Sequence, residues 1–104
     1  MESIVVLITA PSKEEAEAIA GHLVEMKLAA CVNIIPSVQS IFFWEEKLCR
    51  ESELLLLVKT KKSLFAAVCE AVQKKHSYKV PEIIALPIVE GASNYLQWIE
   101  GNTQ

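Results

Sequence analysis

Apolar runs and helical stripes alternate along this chain, and their order predicts a fold. "SIVVLIT" (Ser3–Thr9) is β-branched and apolar throughout, which reads as a strand. Pro11 breaks it. Ser12 with Glu15 three residues on forms an S-x-x-E capping box. Ala16, Ile19, Ala20 and Leu23 then make one apolar stripe, so a helix is predicted from Lys13 to Lys27. "CVNIIPSVQSIFFW" (Cys31–Trp44) is a long extended segment interrupted by Pro36; proline donates nothing to a ladder, so this is an edge strand, bent or bulged at that point. The polar cluster "EEKLCRE", with Arg50 in the turn, is expected to lead back into "SELLLLVKT" (Ser52–Thr60) as an antiparallel hairpin. A second helix is predicted from Ser63 to Lys75, with Phe65, Val68, Cys69 and Val72 on its apolar face. A turn at Ser77–Lys79 precedes a strand at Glu82–Ile88, and a short helix, "NYLQWIE", follows with Gly101 in a C-cap position.

The order is β-α-β-β-α-β plus a terminal helix. Two right-handed βαβ crossovers interleave into an α+β, ferredoxin-like sandwich with helices on one face of the sheet. Two helices cover one face only, yet "IVVLI" and "LLLLV" do not alternate apolar with polar. Their second face needs a cover, and the apolar edge around Ile41–Trp44 leaves a row of backbone groups open. Both features predict a sheet-mediated homo-oligomer.

Composition sharpens this picture. The 104 residues suit a single domain, 1–104, yet 52% are hydrophobic and only 22% charged, an apolar balance for so small a unit. Net charge is −3 and the ten basic residues are scattered, which gives no footprint for nucleic acid or anionic lipid. No apolar run approaches the roughly 18 residues of a membrane span, and "MESIVVLITAPSKEE" lacks the basic start of a signal peptide, so a cytoplasmic setting is expected. Cys31, Cys49 and Cys69 are odd in number and widely spaced, which argues against a disulfide framework or zinc ribbon.

With these segments placed, "KLAACVNIIP", "SIFFWEEK", "ESELLLLVKT", "YKVPEIIALPI" and the terminal "YLQWI" together resemble the CutA family of divalent-cation tolerance proteins, over almost everything from Ile4 to Ile99. The resemblance implies a ferredoxin-like protomer, a homotrimer built through sheet edges, and a cytoplasmic role in tolerating copper and similar metals. It also implies a copper site made by a cysteine at the end of the first strand and a His-His pair. Carried onto this chain, those positions hold Ile8, Lys75 and His76, so only His76 keeps a metal-binding side chain, and copper(II) binding through it is expected to be weak. "HSY" stands for the more usual "HPY", "IPS" for "IPG", and "WEEK" for "WEGK".

The candidate residues follow. His76 extends the apolar face of the second helix at its C-terminal end, where the ring either packs against free carbonyls or binds metal. Glu82 follows a proline at the start of a strand, where a carboxylate needs a cation. Lys59 and Tyr78 are its expected partners, Trp44 an apolar wall, and the four resemble a polar pocket of the family at a subunit cleft; a structural interface network is the competing reading. An acylphosphatase-like enzyme lacks support, since the only arginine is Arg50 and "TAPSK" forms no glycine-rich cradle. The expected function is a metal- or small-ligand-binding regulatory trimer, not an enzyme, with room for an unidentified protein partner. The alternative is a PII-like signalling trimer that binds a nucleotide or small anion near Lys59, Lys61 and Lys62.

Overall fold

The structure is a computed structural model that describes residues 2–104. Strand β1 (Ser3–Ala10) leads to helix α1 (Lys13–Glu25), then to strands β2 (Cys31–Trp44) and β3 (Lys47–Lys61). A short 3-10 turn (Lys62–Leu64) opens helix α2 (Phe65–Lys75), followed by β4 (Ile83–Pro87) and α3 (Ser93–Gly101). The sheet runs β2-β3-β1-β4 with every neighbouring pair antiparallel, so β2 and β4 are its edges. This is the βαββαβ arrangement expected from the element order.

Period two and period 3.6 meet in the core. Ile4, Val6, Ile8 and Ala10 of β1 are buried with Leu56 and Val58 of β3, beneath Ala16, Ile19, Ala20 and Leu23 of α1 and Val68 and Val72 of α2. Thr60 is fully buried among them because its hydroxyl donates to the Leu28 carbonyl (2.6 Å). On the other face Val5 and Leu7 of β1 and Leu55, Leu57 and Lys59 of β3 are only half-buried, and Ile84 and Leu86, paired with Leu7 and Val5, are exposed. Helix α3 packs on β3 and β1 through the fully buried Ile99, which lies outside that core cluster. It covers part of the sheet that the sequence left bare.

Ser12 caps α1 by accepting from the Glu15 N–H (3.2 Å), but the box is only half made. The Glu15 carboxylate is engaged instead by Ser77, 62 positions away. The helix stops at Glu25, two residues before the predicted Lys27, where Lys27 takes φ 57°.

The hairpin differs from its prediction in one important respect. The turn is Glu45–Glu46 alone, and Lys47–Glu51 are strand, so Arg50 pairs with Ile41 instead of sitting in a loop. Polar residues facing water on a two-stranded ribbon carry the same signature as a turn, which is why the cluster misled. The register slips between Ile35 and Val38, at the bulge expected of Pro36. Beyond it, Val38–Glu53 form an arm of two strands only, since β1 pairs with β3 from Leu54 to Lys61. Gly101 is also corrected: it is the last helical residue, and Asn102 (φ −112°) caps the helix without any left-handed glycine.

Candidate functional site

The arm and the loop after α2 enclose an open cleft of about 900 Å³. Alternation along the arm brings Ser40 and Phe42 of β2 and Cys49, Glu51 and Glu53 of β3 to one side, with Trp44 at the rim. The loop supplies Ser77, Tyr78, Lys79 and Glu82. Four carboxylates, Glu45, Glu51, Glu53 and Glu82, line the cleft with one ammonium, Lys79. The balance favours a cationic visitor.

Tyr78 and Glu53 form its centre. The Tyr78 hydroxyl donates to Glu53 Oε2 (2.6 Å), and Glu53 is only 4% exposed. Desolvation raises the Tyr78 phenol well above its ordinary range, and the hydrogen bond to Glu53 and the charges of Glu53, Glu51 and Glu15 add to the rise. The phenol therefore stays protonated and keeps donating.

His76 holds this tyrosine from behind. It is the C-cap of α2, its N–H donating to the Val72 carbonyl (2.8 Å) and its side chain wholly buried. The Tyr78 N–H donates to Nδ1 (3.0 Å), which makes Nδ1 the acceptor and leaves Nε2–H to donate to the Thr9 carbonyl (2.7 Å). The ring does meet a carbonyl, as expected at a helix end, but the carbonyl belongs to β1. The His76 and Tyr78 rings lie 4.8 Å apart, tilted by 49°. Glu15 comes within 3.3 Å of Nδ1 while accepting from Ser77 N–H (2.9 Å) and Ser77 Oγ (3.2 Å). The first of those bonds exists because residue 77 is serine; the proline usual in the resembling motif has no N–H to give.

The structure thus brings Trp44, Tyr78 and Glu82 to one cleft and leaves Lys59 out of it. Lys59 is level with Val5 on β1, whereas Glu82 comes one step past Ile83, the partner of Ile8. About four residues, or roughly 13 Å of strand, separate them along β1. The expected Glu82–Lys59 pair does not form within the chain, and Glu82 is exposed. Glu53, Glu15, Ser77 and Thr9 were missed. Glu53 sits in "ESELLLLV" two positions from Glu51, and nothing in that string separates the buried carboxylate from the exposed one.

The copper expectation meets a specific obstacle. A metal would need the Nδ1 lone pair, which already accepts from Tyr78. Ile8 is buried and carries no donor atom, and no group of three or more His, Cys, Asp or Glu is poised around an ion among the described residues. The ring does not fit a copper site in this geometry. Its removal acts on the fold: His76→Ala orphans the Thr9 carbonyl and the Tyr78 N–H and leaves a cavity. The expected loss in unfolding free energy, measured by urea denaturation, is about 3 kcal/mol.

Comparison with known proteins agrees with the fold and the motif blocks. A family model described as CutA1 divalent ion tolerance protein matches residues 4–102. A divalent-cation tolerance protein CutA from Thermus thermophilus is 54% identical over 99 residues, covering 95% of this chain and 96% of the relative. A chloroplastic CutA 1 from Oryza sativa is 47% identical over 102 residues, covering 98% of this chain, which spans 58% of that relative's length. The crystal structure of CutA1 from Oryza sativa superposes with a TM-score of 0.97 at 46% identity, covering 100% of this chain and 95% of that one. The Thermus thermophilus structure gives 0.96 at 52% identity, covering 98% and 99%. Sequence blocks, sheet order and these matches agree: the chain belongs to the CutA1 divalent ion tolerance protein family.

Proposed function

We propose that this protein acts in divalent-cation tolerance as a homotrimeric binding module rather than an enzyme, with the arm–loop cleft as its ligand site. The acidic lining of that cleft carries the reading. Glu51 and Glu82 are exposed and free to gather a cation, while the Tyr78–Glu53 bond fixes the floor. The names of relatives point the same way: one from Thermus thermophilus is called a divalent-cation tolerance protein.

Assembly is supported by what the single chain leaves bare. Ile41, Phe43, Trp44 and Leu48 on the arm and Ile84 and Leu86 on β4 are all exposed, and β2 and β4 both end the sheet. Two different apolar edges on one chain suit a head-to-tail ring, in which each arm covers a neighbour's β4 side. No described helix is long and apolar enough to cross a membrane. The three unpaired thiols suit the reducing cytoplasm.

A thermal-shift series tests the reading with copper(II), zinc, manganese and magnesium salts against nucleotides. Divalent ions are expected to raise the melting temperature and nucleotides to leave it unchanged. Saturation a hundredfold above Kd contributes about 2.7 kcal/mol. The shift should shrink in Glu51→Gln and Glu82→Gln. A response to nucleotides alone would favour the anion-binding alternative instead.

A further inference from the structure

His76 Nδ1 faces two groups with opposite demands. The Tyr78 N–H, at 3.0 Å, needs a bare lone pair there; the Glu15 carboxylate, at 3.3 Å, needs a proton. A neutral ring satisfies the first and sets its lone pair against carboxylate oxygen. A charged ring satisfies the second and sets one N–H against another. Nε2 does not discriminate, because Nε2–H donates to the Thr9 carbonyl in both forms. We infer that His76 is a proton-operated link between α1 and the cleft: one proton taken up at Nδ1 turns that nitrogen from the Tyr78 backbone to Glu15 and frees the turn that walls the cleft.

The proton comes from solvent, no covalent bond other than N–H changes, and the imidazole becomes imidazolium. Several groups around the ring bear on the balance. Glu15 of α1 is held against it by two bonds from Ser77, with its side chain 18% exposed, so solvent screens it only in part. The C-terminal end of α2, which His76 caps, adds its negative pole. From β1 comes the Thr9 carbonyl, and from the ring's own loop the Tyr78 phenol, behind which stand Glu53 and Glu51 of β3. Lys75 precedes the ring on α2 and Lys79 follows it in the loop, and both oppose a charged ring. In the charged form the Tyr78 amide turns to water while its phenol stays on Glu53, so the backbone of the turn moves about the phenol end. The inference rests on the cleft reading only for its effect on ligand binding; the exchange itself is read without any ligand.

The test is nuclear magnetic resonance of the intact 15N-labelled assembly from pH 8 to pH 5. At pH 8 the ring spectra should show His76 as the Nε2–H tautomer. On acidification the Tyr78 amide should shift together with the His76 ring signals, and its protection against exchange, taken relative to the intrinsic base-catalysed rate at each pH, should fall about tenfold. The half-exposed His22 on α1 is the internal control, and its titration should leave the Tyr78 amide still. Glu15→Gln removes the carboxylate that a charged ring would turn to, so the response of the Tyr78 amide to acidification should shrink. A Tyr78 amide that ignores His76 overturns the link, as does an amide response that is the same in Glu15→Gln as in the parent. The wild-type titration needs no variant, and a cleft that binds no cation would leave all these spectra as expected.

Discussion

Replacing Phe43 with lysine is expected to convert the proposed trimer into folded monomers at micromolar concentration. Phe43 is 73% exposed near the tip of the arm, on the strand that ends the sheet. An assembly that covers it gains about 2 kcal/mol of apolar burial per subunit, or about 6 kcal/mol over three copies. That is roughly a 10⁴-fold change in the trimer association constant. The lysine adds a charge that an apolar contact cannot solvate. The side chain leaves the protomer's own core untouched, so circular dichroism should be unchanged while sedimentation equilibrium reports the lower mass. A variant that sediments as the parent does would place the arm outside the interface, and the apolar-edge argument for assembly would go with it.

Tyr78→Phe is expected to cost about 2 kcal/mol of unfolding free energy, because the nearly buried Glu53 carboxylate loses its donor. Glu53→Leu alone strands the hydroxyl at similar cost, and the double variant should recover much of the loss. The coupling from that cycle, about 2 kcal/mol, measures the bond itself. The phenol also predicts a pH dependence. Its proton is held more tightly in the folded protein than in the unfolded chain, where it leaves near pH 10. Below about pH 10 both states keep the proton and the contribution is complete. Above it the unfolded state binds fewer protons, so stability falls as pH rises toward the higher folded midpoint. Urea denaturation between pH 8 and 11 should show this decline in the parent and a flatter profile in Tyr78→Phe. Matching profiles would mean the phenol is not held on Glu53.

The elements were legible where a local rule fixes them. Ser12 announces a helix, Pro36 announces a bulge, and the stripe from Ala16 to Leu23 needs only a period of 3.6. The site was less legible because it depends on register. Lys59 and Glu82 look like neighbours when strands are drawn without their pairings, and the ladder then sets them on different levels of β1. Glu15 illustrates a second limit. Its spacing from Ser12 describes one use of the carboxylate, and the folded chain brings Ser77 close enough to claim it instead. His76 is a third case, since a one-dimensional reading cannot show that both of its nitrogens are already in use.

The two-residue turn at the arm's tip also bears on how the chain folds. Glu45 and Glu46 hold φ of 51° and 63°, a left-handed geometry that costs non-glycine residues about 1–2 kcal/mol each. Such a turn is a poor place to begin a hairpin. The ladder must instead grow outward from its base, where Val32, Ile34, Leu56 and Val58 already gather under the helices, and the tip closes last. The rate-limiting nucleus is then expected in the four-stranded body, with the strain at the tip met only after the barrier is crossed. Relieving that strain, as a glycine at position 46 would, slows the opening of the arm and leaves the rate of folding nearly unchanged.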